Sequence, residues 1–119
     1  MKALGLFAAK VGIFALVATQ FVAIHGRAAA AGDVKTGQEI AQKCEVCHGL
    51  DGLSKLVEAP NIAGQNEQYL IKQLTAFKLG ERQNEMMTVV ASTLSEKDIE
   101  DLAAYYSAIE IKVVRVPVK

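Results

Sequence analysis

Two cysteines stand three positions apart in Cys44-Glu45-Val46-Cys47-His48, and a histidine follows the second directly. That spacing is the attachment pattern of a c-type haem. Two thiols on one helical turn can each add to a vinyl group along one edge of the porphyrin, and the next residue can then reach the iron. On this reading Cys44 and Cys47 hold one haem c covalently and His48 supplies the proximal nitrogen. Other chemistries use the same residue types. A thioredoxin-like pair stands between a strand and a helix, whereas a helical pattern precedes this motif and a glycine-bearing loop follows it. A structural zinc site needs four ligands; beyond Cys44, Cys47 and His48 the chain has no other cysteine, and its one other histidine is His25. A disulfide across the three-residue step suits an oxidising compartment but leaves His48 without a role.

Electron-transfer haems commonly take methionine opposite histidine, which favours reduced iron. Outside the first residues of the chain the methionines are Met86 and Met87. Adjacent side chains point in different directions, and methionine also serves as flexible core filler. The residues alone name the pair as the source of the second axial ligand without choosing between its members.

The elements that must position these groups read as helices joined by loops. Asp33 is a cap for a helix expected over 34–46, with Ile40, Ala41 and Cys44 on one face. Residues 49–64 hold Gly49, Gly52, Pro60 and Gly64 and read as a loop. Asn66 caps a helix expected over 67–79 whose inner face is Tyr69, Leu70, Gln73, Leu74 and Phe77, with Gly80 just past its end. Residues 80–85 form polar linkage, and 86–93 read as a short turn or loop. Ser95 caps a last helix over 96–109, with Asp98 in place of the glutamate of a capping box. Ile99, Leu102, Ala103, Tyr106 and Ile109 recur there at helical spacing. The tail from Ile111 to Lys119 is β-branched, contains Pro117, and reads as extended.

Composition narrows the class further. It has 119 residues, 13 basic and 13 acidic side chains, 51% hydrophobic positions and only 6% aromatics. One small domain fits that length, and a balanced charge argues against a nucleic-acid partner. Much of the apolar content lies at the front: Met-Lys, a second lysine at Lys10, an uncharged run from Val11 to Ile24, then Ala28 to Ala31. This is the pattern of a secretory signal peptide over 1–31, cut after Ala30 or Ala31. A membrane anchor would need about 20 apolar residues, and Lys10 interrupts the longer count. Removing the segment takes His25 with it, and also Lys2, Lys10 and Arg27, so the remainder is mildly acidic and has no stable membrane insertion. It keeps four aromatic rings, Tyr69, Phe77, Tyr105 and Tyr106, which is little core material for a small domain. Something besides side chains is expected to fill its middle.

The sequence resembles a small bacterial class I monohaem c-type cytochrome, similar to the repeat unit of periplasmic dihaem cytochromes c. The likeness runs from about Gly32 to Ile109. It rests on Cys44-Glu45-Val46-Cys47-His48-Gly49, Ala59-Pro60-Asn61-Ile62-Ala63-Gly64-Gln65, Tyr69-Leu70-Ile71-Lys72-Gln73-Leu74, Met87 followed by Leu94-Ser95, and Leu102-Ala103-Ala104-Tyr105-Tyr106. The resemblance implies an all-α fold over 32–110. Three to four helices would wrap around one covalently attached haem, with the N- and C-terminal helices crossed, and a tail over 111–119. It assigns the axial methionine to Met87, seven residues before Leu94, with Met86 in reserve. It matches Pro60 to the proline whose carbonyl accepts a hydrogen bond from the proximal histidine. Gly37 and Tyr105 match the small and aromatic partners at the helix crossing.

The function implied by that resemblance is one-electron transfer in the periplasm between redox partner proteins, with iron ligated by histidine and methionine and no enzymatic reaction. A mildly acidic surface favours a partner with a basic patch, although Lys55, Lys72, Lys78 and Arg82 offer a local basic face. Two other readings share the motif. One is a haem-carrying subunit of a periplasmic dehydrogenase complex. The other is an open-site haem protein that binds a gas or peroxide, which requires that neither methionine bind iron.

Overall fold

The computed structural model describes residues 31–117. The segment read as a signal peptide lies outside the described residues, except for Ala31.

Among the described residues there are five α-helices, one 3-10 turn and no strand. The first, α1 (Val34–Ile40), starts where the Asp33 carboxylate accepts a hydrogen bond from the Thr36 amide at 2.7 Å. The sequence predicts one continuous helix to residue 46; the structure breaks it. After Ile40 the chain tightens into a 3-10 turn over Ala41–Lys43, and α2 (Glu45–His48) is a single turn carrying the motif. Three residues per turn replace 3.6 across 41–43, so Cys44 and the residues after it leave the face that α1 would have given them.

The helix α3 (Glu67–Lys78) follows the predicted course, with the Asn66 side chain accepting the Tyr69 amide at 3.0 Å. Residues 86–93, read as a turn or loop, instead belong to α4 (Glu85–Ser92). The cap decides the difference. The Asn84 side chain accepts from the amides of Met86 and Met87 at 3.1 and 3.0 Å, and its own amide donates to Thr88 Oγ1 at 3.1 Å. Two of the first-turn donors that a short helix leaves open are thereby satisfied. The last helix, α5 (Glu96–Ser107), ends two residues before the predicted limit. Its capping box has both limbs, Asp98 N–H to Ser95 Oγ at 3.0 Å and Ser95 N–H to Asp98 Oδ2 at 2.8 Å.

The core is small in residue size. Ala41, Leu70, Leu94, Ile99, Leu102, Ala103 and Tyr106 form one buried cluster, and its largest fully buried side chains are Leu94, Ile99 and Leu102. The helix α5 is its spine, packed against α1 on one side and α3 on another, while α4 packs on α3. The contact between α1 and α5 is close enough that a Cβ added at Gly37 would lie 2.0 Å from the Asp101 carbonyl oxygen. Only glycine permits that approach. Asp101 itself is buried and accepts from the Asp33 amide at 2.6 Å and from Lys97, fixing the start of α1 on α5. Residues 111–117 carry neither helix nor strand.

Candidate functional site

One cleft of about 450 Å³ gathers most of the residues that the sequence singles out. Cys44, Cys47 and His48 line it from α2 and the preceding residue, and Pro60 and Ile62 from the following loop. Leu70, Leu74 and Phe77 contribute from α3, Met86 and Met87 from the start of α4, and Leu102 and Tyr106 from α5. The volume falls in the range of cofactor and small-molecule sites, and the lining is largely apolar with a few placed polar groups.

His48 is buried, at 7% exposure, and its Nδ1 lies 2.9 Å from the Pro60 carbonyl oxygen. A carbonyl oxygen only accepts, so Nδ1 carries the proton and donates. With Nδ1 engaged there, Nε2 is the ring nitrogen left to serve as a metal ligand. Gly49 closes α2 at φ +71, a conformation that L side chains rarely adopt. The chain can therefore turn immediately after His48 and bring the loop bearing Pro60 back to the ring.

The two tyrosines of α5 brace that turn, a role the sequence analysis missed. Tyr106 Oη donates to the Gly49 carbonyl at 3.1 Å and Tyr105 Oη to the Leu50 carbonyl at 2.8 Å. Burial pushes the Tyr106 hydroxyl well above its ordinary pKa and keeps it a donor. Two adjacent tyrosines in an otherwise apolar stretch were the available signal, because a buried phenol needs a partner.

Cys44 and Cys47 are half-buried and do not pair with each other in a disulfide, and burial pushes the Cys44 thiol above its ordinary pKa. Among the described residues no cluster of three His, Cys, Asp or Glu side chains could hold a bare metal ion. Met87 is half-buried while Met86 is 66% exposed, and the Asn84 cap fixes the backbone of both. Arg82, Gln83 and Asn84 also line the cleft; from the sequence Arg82 is one member of a local basic face with Lys55, Lys72 and Lys78. Two thiols, one imidazole with its proton fixed away from the cleft, and thioether sulfur around an apolar space form the donor set of a c-type haem. The residues fit that group.

Comparison with known proteins identifies the family. Residues 34–108 match the cytochrome c family. The chain is 42% identical over 90 residues to cytochrome c4 of Pseudomonas aeruginosa, covering 76% of this chain and 45% of that protein. It is 40% identical over 83 residues to cytochrome c-554(548) of Halomonas halodenitrificans, covering 67% of this chain and all of that protein. A thiosulfate dehydrogenase electron acceptor of Thiomonas intermedia is 39% identical over 71 residues, 59% of this chain and 33% of the relative. The crystal structure of reduced recombinant cytochrome c4 from Pseudomonas stutzeri superposes with a TM-score of 0.60 at 31% identity, covering 68% of this chain and 53% of the other. The chain thus spans about half the length of the cytochrome c4 relatives it matches. Its helices, its motif and these likenesses converge on one conclusion: the chain belongs to the cytochrome c family, as a small class I domain that binds one haem c.

Proposed function

We propose that the protein is an exported one-electron carrier of the periplasm, matured by cleavage of its N-terminal segment after Ala30 or Ala31. The observation that carries this reading is the convergence of Cys44, Cys47, His48 and Met87 on one largely apolar cleft. When bound, haem supplies a ferric–ferrous couple that accepts and returns a single electron. Cys44 and Cys47 would hold its edge through thioethers. His48 would ligate the iron through Nε2, with the Pro60 carbonyl holding the ring in orientation and tautomer. Met87 would fill the opposite axial position; its partial burial in the cleft favours it over the exposed Met86. With both positions occupied by side chains, no substrate needs access to the iron and the protein acts as a carrier rather than an enzyme. Leu70, Leu102 and Tyr106 are buried in the cleft wall and keep water away. Among the described residues no helix is long and apolar enough to cross a membrane.

A second reading has one observation in its favour. The relative from Thiomonas intermedia is named an electron acceptor of thiosulfate dehydrogenase, so this domain could serve a dehydrogenase as its dedicated acceptor. Purification from the periplasmic fraction separates the two readings: a monomer reduced by several donors supports the free carrier, and stable copurification with a dehydrogenase chain supports the dedicated acceptor. Absorption spectroscopy tests the ligation. Ferric protein should show the methionine–iron charge-transfer band, and ferrous protein should resist carbon monoxide. Rapid carbon monoxide binding without that band would replace both readings with an open-site haem protein.

A further inference from the structure

The geometry points to the tail over residues 111–117 as an arm that docks a redox partner, adding a strand to a sheet edge of that protein where acidic side chains meet the arm's cations. The role rests on the carrier reading above. The root of the arm is fixed. Ile111 lies over Gly64, so closely that a Cβ added there would be 2.9 Å from Ile111 Cγ1. The Gly64 amide donates to the Tyr106 carbonyl at 2.9 Å, and the next residue, Gln65, lines the cleft. The arm therefore leaves the domain beside the cleft. Past its root it touches little: residues 112–117 are all exposed, Val114 at 91%. No backbone group of 111–117 is paired with the backbone of another described residue. Neither Lys112 nor Arg115 has an acidic partner among the described residues.

Composition selects a strand as the form of contact. Ile111, Val113, Val114 and Val116 are β-branched, and Pro117 lacks the amide that would extend the pairing. Alternation puts Ile111, Val113 and Arg115 on one side of such a strand and Lys112, Val114 and Val116 on the other, so each side is apolar with one cation. Open amides and carbonyls beside exposed valines are a template for pairing with a sheet edge. The domain offers no such edge, because the described residues hold no strand. A second copy is a poor occupant: antiparallel pairing of two arms about Val113 and Val114 sets Lys112 against Arg115, like charge against like. A lipid surface also suits the arm less. Lipid-binding clusters carry about four to eight cations, and residues 111–119 have three. Charge then names the partner. Residues 32–110 hold thirteen acidic and seven basic side chains, whereas 111–119 hold three basic and no acidic ones. The arm thus meets an acidic edge that the rest of the domain would repel, and holding it beside the cleft keeps the partner where electrons pass.

Crosslinking and kinetics of the holoprotein test this. With p-benzoylphenylalanine in place of Val114, irradiation in the periplasm of producing cells should join the arm to a sheet-edge strand flanked by Asp or Glu, mapped by peptide mass spectrometry. The same group in place of Val89, exposed on α4, should not reach that strand. The protein so joined, once purified, should exchange electrons with the wild-type holoprotein about tenfold faster at low salt than with either of two variants. One variant ends at Ile111, which keeps the contact over Gly64; the other is Lys112→Glu with Arg115→Glu. Ascorbate should reduce all three at one rate, because the cleft is unaltered. Adducts on lipid, on the same chain or on a second copy, no adduct, or equal adducts from both positions overturn the assignment. Equal rates for wild type and both variants with the joined protein also overturn it. Rapid carbon monoxide binding by the ferrous wild type would instead overturn the carrier reading, and the arm's role with it.

Discussion

Replacing Gly37 by alanine should destabilise the folded protein even though alanine is the better helix former. On an open helix the change would be worth about 1 kcal/mol in alanine's favour. Here the added Cβ would lie 2.0 Å from the Asp101 carbonyl oxygen, 2.6 Å from its carbon and 2.8 Å from Tyr105 Cβ. Two of these three contacts are backbone atoms of α5 and the third is the stiff first atom of a side chain, so no rotamer change relieves them. The helices must part by roughly 1 Å or more to restore ordinary contact. That movement strains the Asp33 amide bond to the buried Asp101 carboxylate, 2.6 Å long, a hydrogen bond to a charged acceptor and so worth about 1.5–3 kcal/mol. It also loosens the packing over Ala41, which is wholly buried. Overpacking alone typically costs about 1–3 kcal/mol.

Setting the propensity gain against these losses leaves a net destabilisation of about 1.5–5 kcal/mol. For a domain of this size each kcal/mol moves Tm by about 4–8 °C, so the expected fall is at least roughly 6 °C. Thermal unfolding of the holoprotein followed by far-ultraviolet circular dichroism reads it directly. A Tm equal to or above that of the wild type would refute the reasoning. It would show that α1 and α5 have room between them and that helix propensity decides.

Tyr106→Phe should cost about 0.5–1.5 kcal/mol, because it removes one of two hydrogen bonds to the Gly49 carbonyl, which keeps the Gly52 amide at 3.2 Å; denaturant unfolding measures the loss, while the haem spectrum keeps its form. Met87→Ala should abolish the methionine–iron charge-transfer band and Met86→Ala should leave it, as read in the ferric spectrum. Asp98→Asn should lower stability at neutral pH and converge with the wild type in acid. Bonds from the Ser95 amide and hydroxyl hold the Asp98 carboxyl below its ordinary pKa, so its contribution is present above the unfolded pKa and lost as pH falls through the folded one. Parallel stability curves down to strong acid would show that the cap is electrostatically idle. Leu102→Ala should cost about 2–5 kcal/mol, because this side chain is almost wholly buried, and is checked by the same unfolding assay.

What was legible in the sequence was local. The motif, the Asn66 and Ser95 caps and the periodic faces of α3 and α5 depend on neighbours within a few residues, and the structure has them as read. The break at Ala41–Lys43 was not legible: Ala41, Gln42 and Lys43 are ordinary helix formers, and the tightening accompanies packing against distant residues. The helix α4 was misread for a different reason. Val89, Val90 and Thr93 lower helix propensity, and Asn84 was not weighed as a cap, although its side chain holds two amides of the first turn. At the site, Cys44, Cys47, His48, Pro60 and the methionine pair were named from sequence and share one cleft. The placement of Arg82 is not visible in the sequence because it depends on a chain reversal at Gly80 and on the Phe77 ring five residues before it.

The position of His48 depends on α5 through more than burial. One face of α5 receives α1 at Gly37 and Asp101, and the hydroxyls of Tyr105 and Tyr106 hold the Leu50 and Gly49 carbonyls. The loop that begins there returns through Lys55, whose amide donates to the Cys47 carbonyl at 2.8 Å, to Pro60, which accepts from the His48 ring. The far end of the loop is tied back to α5 by the Gly64 amide on the Tyr106 carbonyl at 2.9 Å. Tyr106 therefore holds both ends of the segment that orients the histidine, one through its hydroxyl and one through its backbone. A domain with few aromatic rings spends two of them on this brace because the orientation of one imidazole nitrogen decides what the cleft can bind. The close helix contact at Gly37 and the tautomer of His48 are in this way two ends of one packed assembly, and loosening the first should be felt at the second.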